Sequence, residues 1–80
     1  MLEQREQTHG CFSDTAVASQ AIKEVFFRYS NGRLTPVMCE ALDMIASKLS
    51  RVICGDPDTA DHWADIGGYA MLVYEDLRDE

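Results

Sequence analysis

An all-α fold, three amphipathic helices in a bundle behind a flexible N-terminal arm, is predicted by three observations. Apolar residues recur at helical spacing in three separate segments, glycine-containing breaks divide those segments, and no alternating strand pattern of useful length occurs. The expected boundaries are an irregular arm over 1–12 and a single helical domain over 13–80.

The first twelve residues are polar and irregular, with His9-Gly10 as a turn signal. Ser13 or Asp14 is placed to cap a first helix that runs to about Tyr29. Along it Val17, Ala21, Val25 and Tyr29 recur every four residues, with Ala18, Ile22 and Phe26 beside them. Asn31-Gly32 then supplies the left-handed residue that ends a helix. Thr35-Pro36 restarts the chain, Thr as cap and Pro at the first helical position, where a missing N–H costs nothing. The second helix is expected to run to about Ile53, with Leu42, Ile45, Leu49, Val52 and Ile53 on its apolar face and Glu40, Asp43, Ser47 and Arg51 opposite. Gly55 closes it, and Asp56-Pro57 forbids its continuation. Asp58 or Thr59 caps the third helix, on which Trp63, Ile66, Ala70, Val73, Tyr74 and Leu77 share an arc of about 100°. Gly67-Gly68 in mid-helix costs about 1 kcal/mol per glycine relative to alanine, which predicts that another backbone approaches closely there, against the plainer reading of a local weakness in the helix.

A chain of 80 residues is one domain. At that length folding buries only about 60% of the unfolded surface, so a brace is expected. Phe26, Phe27, Trp63, Tyr69 and Tyr74 offer more apolar surface than one thin layer can cover, and a homo-oligomer, at least a dimer, is the expected brace. The three cysteines, Cys11, Cys39 and Cys54, are an odd set without CxxC spacing, which argues for a reducing compartment. Cys39 and Cys54 read as small buried hydrophobes. Met1 leads directly into Glu3, Arg5 and Glu6, which predicts no secretory leader, no membrane span and a cytoplasmic location.

The net charge is −7, and all of it lies in the last third. Residues 1–55 hold six acids and six bases, whereas residues 56–80 hold eight acids against Arg78 alone. Such a field repels nucleic acid and attracts cations or basic protein surfaces. Direct nucleic-acid binding is therefore not expected. Asp56, Asp58, Asp61, Glu75, Asp76 and Asp79 are the candidate partner-binding residues, against the plainer reading of a solvated face that aids solubility.

Two carboxylate pairs stand at helical spacing, Glu40 with Asp43 and Asp61 with Asp65. Packed antiparallel across the Gly55–Asp58 turn, the two helices could bring these pairs together around a magnesium ion and a phosphate. The alternative is that Glu40 and Asp43 pair with Lys48, Arg51 or Arg28 in an ion network. Asp65 is expected to pair with a base on the second helix. His62, beside Trp63, reads as a half-buried packing residue, and His9 with Cys11 is too little for a zinc site. No nucleophile elbow, Walker loop or dinucleotide fingerprint occurs.

Four segments together resemble a family of small uncharacterised phage and prophage proteins. They are Gln7-Thr8-His9-Gly10, the run from Ala41 through Lys48 to Val52, Gly55-Asp56-Pro57, and Asp61-His62-Trp63-Ala64-Asp65-Ile66-Gly67-Gly68-Tyr69-Ala70. That family in turn looks similar to MazG-like all-helical nucleotide pyrophosphohydrolases. The resemblance implies that Glu40 and Asp43 match the first acidic pair of those enzymes and Asp65 the last acid, a magnesium set. Cys11 and His62 stand where the related patterns carry acids.

Two functions follow as expectations. One is a non-catalytic phage accessory protein that inhibits a host nucleic-acid-handling defence complex, such as a CRISPR surveillance complex, by offering its acidic helix to a Lys- and Arg-lined channel. The other is a magnesium-dependent nucleotide pyrophosphohydrolase or nucleotide-binding protein, with Glu40, Asp43 and Asp65 holding the metal.

Overall fold

The computed structural model describes residues 9–78. Helix α1 is Phe12–Ser30, α2 is Pro36–Cys54 and α3 is Ala60–Arg78, each of 19 residues. The all-α prediction stands. Of the expected irregular arm, the part before His9 lies outside the described residues.

The helix ends follow the sequence signals in four places of six. Asn31 takes the left-handed conformation (φ 53°, ψ 36°) at the end of α1. Arg33 folds back there, its side chain donating to the carbonyls of Ser30 at 3.0 Å and Tyr29 at 3.1 Å. The Thr35 hydroxyl accepts from the Met38 N–H at 3.2 Å, with Pro36 opening α2. The Gly55 N–H donates to Arg51 O at 2.9 Å and ends it. Thr59 precedes α3, its carbonyl accepting from the His62 N–H at 3.1 Å. The start of α1 differs from expectation. Cys11 holds the cap position without a side-chain capping bond, and Ser13 and Asp14 lie inside the first turn. The helix begins a residue or two early because the Thr15 N–H reaches Cys11 O at 3.0 Å, which takes Phe12 out of the arm.

Five-residue connections, 31–35 and 55–59, fold α2 back along each neighbour. Ser19 faces Ser47 and Ser50 across one seam, and Lys48 meets Asp65 across the other, both pairings antiparallel. Helices α1 and α3 have no Cα pair within 8 Å of each other. The described chain is thus a row of three helices with α2 in the middle. Its buried centre is small: Ala41, Ala46, Ser19, Ser50 and His62.

Each outer helix has a single neighbour, and this leaves part of two expected faces uncovered, while Ala18, Ile22 and Phe26 on α1 and Ile66 and Val73 on α3 are covered as expected. On α1 the covered residues are Ser19, Ile22 and Phe26, while Val17, Ala21, Val25 and Tyr29 are all exposed. On α3 the face against α2 is His62, Ile66, Tyr69 and Val73; Trp63, Ala70, Tyr74 and Leu77 from the predicted arc stand in the open. One neighbour covers roughly a third of a helix circumference, so an apolar arc of about 100° plus its flank cannot all be buried. Gly67 and Gly68 were expected to mark a close approach, yet a Cβ on either would meet nothing within 4 Å. Cys39 is exposed and Cys54 only half-buried, contrary to the expectation of buried thiols.

The sidedness follows from helix geometry. Stepping about 100° per residue, the open stripe on α1 precedes its covered face and the one on α3 follows its own, each by roughly a quarter to a third of a turn. Because α1 and α3 run parallel and face α2 from opposite sides, both stripes emerge on the same side of the row. Leu42, Leu49 and Ile53 of α2 lie between them. The acids of α3 emerge on the other side.

Candidate functional site

The acidic side is built on α3. Asp61, Asp65, Glu75 and Asp76 are exposed and fall within an arc of about 100° at helical pitch. Asp58 is exposed in the loop before them. Asp56 is half-buried and occupied locally, its Oδ1 accepting from the Asp58 N–H at 2.9 Å, a turn that shapes the α2–α3 connection. Asp79 lies outside the described residues. The structure therefore brings four of the six sequence-nominated residues, Asp58, Asp61, Glu75 and Asp76, to an open surface and gives Asp56 a structural task.

Asp65 has the expected partner on α2. Lys48 Nζ stands 2.9 Å from its Oδ2, with the lysine side chain 15% exposed and the carboxylate 47% exposed. The Lys48 hydrogen bond, then its charge, hold the Asp65 carboxyl below the usual carboxylate range; His62 and Arg51 pull in the same direction. Lys48 is thereby committed to α3, and Arg28 is committed to Glu24 at 2.7 Å on its own helix. Glu40 and Asp43 form no ion pair among the described residues, so the expected network through them is not present. Nor do the carboxylates of α2 and α3 converge. Among the described residues no three of His, Cys, Asp or Glu are gathered so that they could hold a metal ion. The physical reason lies in the seam geometry: Lys48 occupies the space beside Asp65.

A groove of about 470 Å³ runs between α1 and α2 on the acidic side, lined by His9, Phe12, Ser19, Gln20, Ser47, Ser50 and Arg51 among others. Among its lining are short hydroxyl side chains whose protons are mostly spent. Ser50 donates to Ser47 O at 2.7 Å, Ser47 to Asp43 O at 3.2 Å, and Thr15 to Phe12 O at 2.9 Å. The Ser19 hydroxyl, on a residue 7% exposed, has no hydrogen-bond partner among the described residues and opens onto the groove.

One feature escaped sequence reading altogether. Gly10, at φ +80°, lies so close to the end of α2 that an added Cβ would sit 2.5 Å from Cys54 O. Held there, His9 meets His62 edge-on, ring centroids 4.9 Å apart and planes at 68°. His62 is 3% exposed, deeper than the half-buried position expected of it. The His9-Gly10 pair was legible as a turn, but its docking against residues far along the chain carried no local signal. Beside it, the exposed Cys11 thiol is 3.2 Å from Ser13 Oγ. That hydrogen bond and the Ser13 and Asp14 amides hold the thiol below its ordinary range.

Among the described residues no helix is long and apolar enough to cross a membrane. In comparisons with protein families, with curated proteins and with solved structures, the chain matches none.

Proposed function

We propose that the chain is a non-catalytic binding protein whose acidic α3 flank seats in a Lys- and Arg-lined channel of a nucleic-acid-handling complex. It acts as a small phage-type inhibitor of a host defence assembly in the bacterial cytoplasm, and it works as a homo-oligomer. The observation that supports this reading is the open row of Asp61, Glu75 and Asp76, with no ion pair to any of them among the described residues. Carboxylates left unpaired on one helical arc are electrostatically complementary to a phosphate-holding groove, which favours fast, salt-sensitive encounter.

The test is capture of a nucleic-acid-binding complex from a bacterial lysate on the wild-type protein, beside the double variant Asp61→Lys, Asp76→Lys. The captured complex should be displaced by a polyphosphate competitor and should not be retained by the variant. Binding should also weaken as salt shortens the Debye length from about 10 Å at 0.1 M to about 3 Å at 1 M. Magnesium-dependent triphosphate turnover by the wild type, lost on Asp65→Ala, with no complex captured, would overturn the proposal in favour of the pyrophosphohydrolase reading.

A further inference from the structure

The groove between α1 and α2 differs in charge from the chain around it. The chain carries 14 acids, yet no carboxylate lines the groove among the described residues, and its one lysine or arginine there is Arg51. The Arg51 guanidinium makes no ion pair or hydrogen bond among the described residues. Its charge reaches Asp65, but that carboxylate is bonded to Lys48. Across the groove, on α1, Ser19 is 7% exposed and its hydroxyl bonds to nothing among the described residues. A serine within a helix can donate to the carbonyl a turn back, and a buried hydroxyl left open costs free energy until something bonds it. Phe12, 83% exposed, and Ala16 add an apolar wall. Gly10, held against Cys54 O, fixes the segment that carries this wall, so the groove is formed before anything enters it.

From this we infer that the groove is a binding site for a small aromatic monocarboxylate. The carboxylate sits on Arg51, the ring lies against Phe12, and a polar substituent of the ring meets the Ser19 hydroxyl. One guanidinium offers a carboxylate two parallel N–H···O bonds, which matches both its shape and its single charge. A phosphate dianion calls for a second cation, and Lys48, three residues back on α2, is committed to Asp65. At about 470 Å³ the groove falls within the roughly 300–1,000 Å³ of small-molecule sites, where apolar walls and a few placed polar groups share the recognition. The net charge of −7 repels anions in general, so a bound monoanion is selected by the groove and not by the overall field. No lining residue belongs to α3, and the inference does not depend on the acidic-flank reading.

The probes are phenylacetate and para-hydroxyphenylacetate, titrated into the isotope-labelled full chain at constant ionic strength and followed by amide NMR. Shifts at Ala16, Ser19, Gln20, Ser50 and Arg51 should saturate together, with a Kd of about 1 mM or tighter. The hydroxylated probe should bind the more tightly. Arg51→Gln should weaken both probes by about 10-fold or more, and Arg51→Lys, which keeps the charge without the fork, by about 3-fold. Ser19→Ala should weaken the hydroxylated probe by about 5-fold and leave phenylacetate unchanged, which decides the matter even if the Arg51 variants fail to fold. Glu40→Lys alters the net charge as strongly at a site about 16 Å along α2 from Arg51, and it should leave both affinities unchanged. A wild type without saturable shifts at about 5 mM probe would overturn the inference. So would a gain in affinity on Glu40→Lys, equal losses of the two probes on Ser19→Ala, or inorganic phosphate binding more tightly than either carboxylate.

Discussion

The two seams of the row are made differently from similar materials. Between α1 and α2 the facing residues are short and hydroxylated, Ser19 against Ser47 and Ser50, and a groove remains. Between α2 and α3 a long side chain spans the gap: Lys48, mostly buried along its stem, carries its charge to Asp65. Small residues let two helices approach, but they leave volume wherever the approach stops short of contact. A lysine fills the same kind of space with four methylenes and ends on an ion pair. The first seam therefore adds the Gly10 clamp at its end to the packing of Ile22 and Phe26, and the second adds one directed contact to the packing of Ile66, Tyr69 and Val73.

Substitutions can break this contrast. Gly10→Val should have the largest effect, at least about 2–3 kcal/mol, since it strains a positive φ and drives a side chain into Cys54 O. Thermal melting should show a drop of 10 °C or more at about 4–8 °C per kcal/mol. A harmless Gly10→Val would show that the clamp does not brace the first seam. Ala46→Leu, at a position 0% exposed, should cost about 2 kcal/mol by overpacking in denaturant titrations. The two serines then sharpen the picture. Ser50→Ala removes a buried bond to Ser47 O and should cost about 1 kcal/mol. Ser19→Ala, whose hydroxyl bonds to nothing among the described residues, should fall within about 0.5 kcal/mol of wild type. Equal costs for the two would mean that burial alone governs this seam.

The second seam is best probed by pH. The folded-state pKa of Asp65 is lowered, so the stability that Lys48 supplies is fully present above the ordinary Asp value of about 3.9. It is lost as the pH falls through the lowered folded value. Wild type should therefore lose melting temperature more steeply than Asp65→Asn across that acid window, while the variant is the less stable of the two near neutrality. Parallel curves would remove the ion pair from the account of the seam. The smallest effect is chemical. Iodoacetamide at pH 7.5 should modify Cys11 before Cys39 or Cys54, read by mass spectrometry after brief exposure, because its thiol is exposed and lowered by Ser13.

Much of the architecture was legible in short signals. Thr35-Pro36, Asn31-Gly32 and Gly55-Asp56-Pro57 act through local backbone geometry, so they place helix ends without knowledge of neighbours. The same local character is why Lys48 could be nominated as a partner for Asp65 only generically, as a base on the second helix. What periodicity cannot tell is which part of an apolar arc will be covered. Val17-Ala21-Val25-Tyr29 is the most regular stripe on α1, and it is the one left open, because α2 seats on Ser19, Ile22 and Phe26 instead. For the candidate site, charge counting located the acids of α3, but only the fold separated Asp56, used in its turn, from the open Asp61, Glu75 and Asp76. The edge-on meeting of His9 with His62 depends on a backbone approach between distant segments, which no local pattern encodes.

That α1 and α3 have no Cα pair within 8 Å, and are bridged by His9 before α1 meeting His62 of α3, has a consequence for how the chain opens. Each outer helix is held by one seam only, so its amides can exchange with solvent by detaching it from α2 while the other seam stays closed. The middle helix is released only when both have gone. Stability is then a sum over two neighbouring junctions, as in a repeat array cut to its shortest length. Hydrogen exchange should rank the amides accordingly, slowest in the middle of α2 and faster, at two independent rates, in α1 and α3.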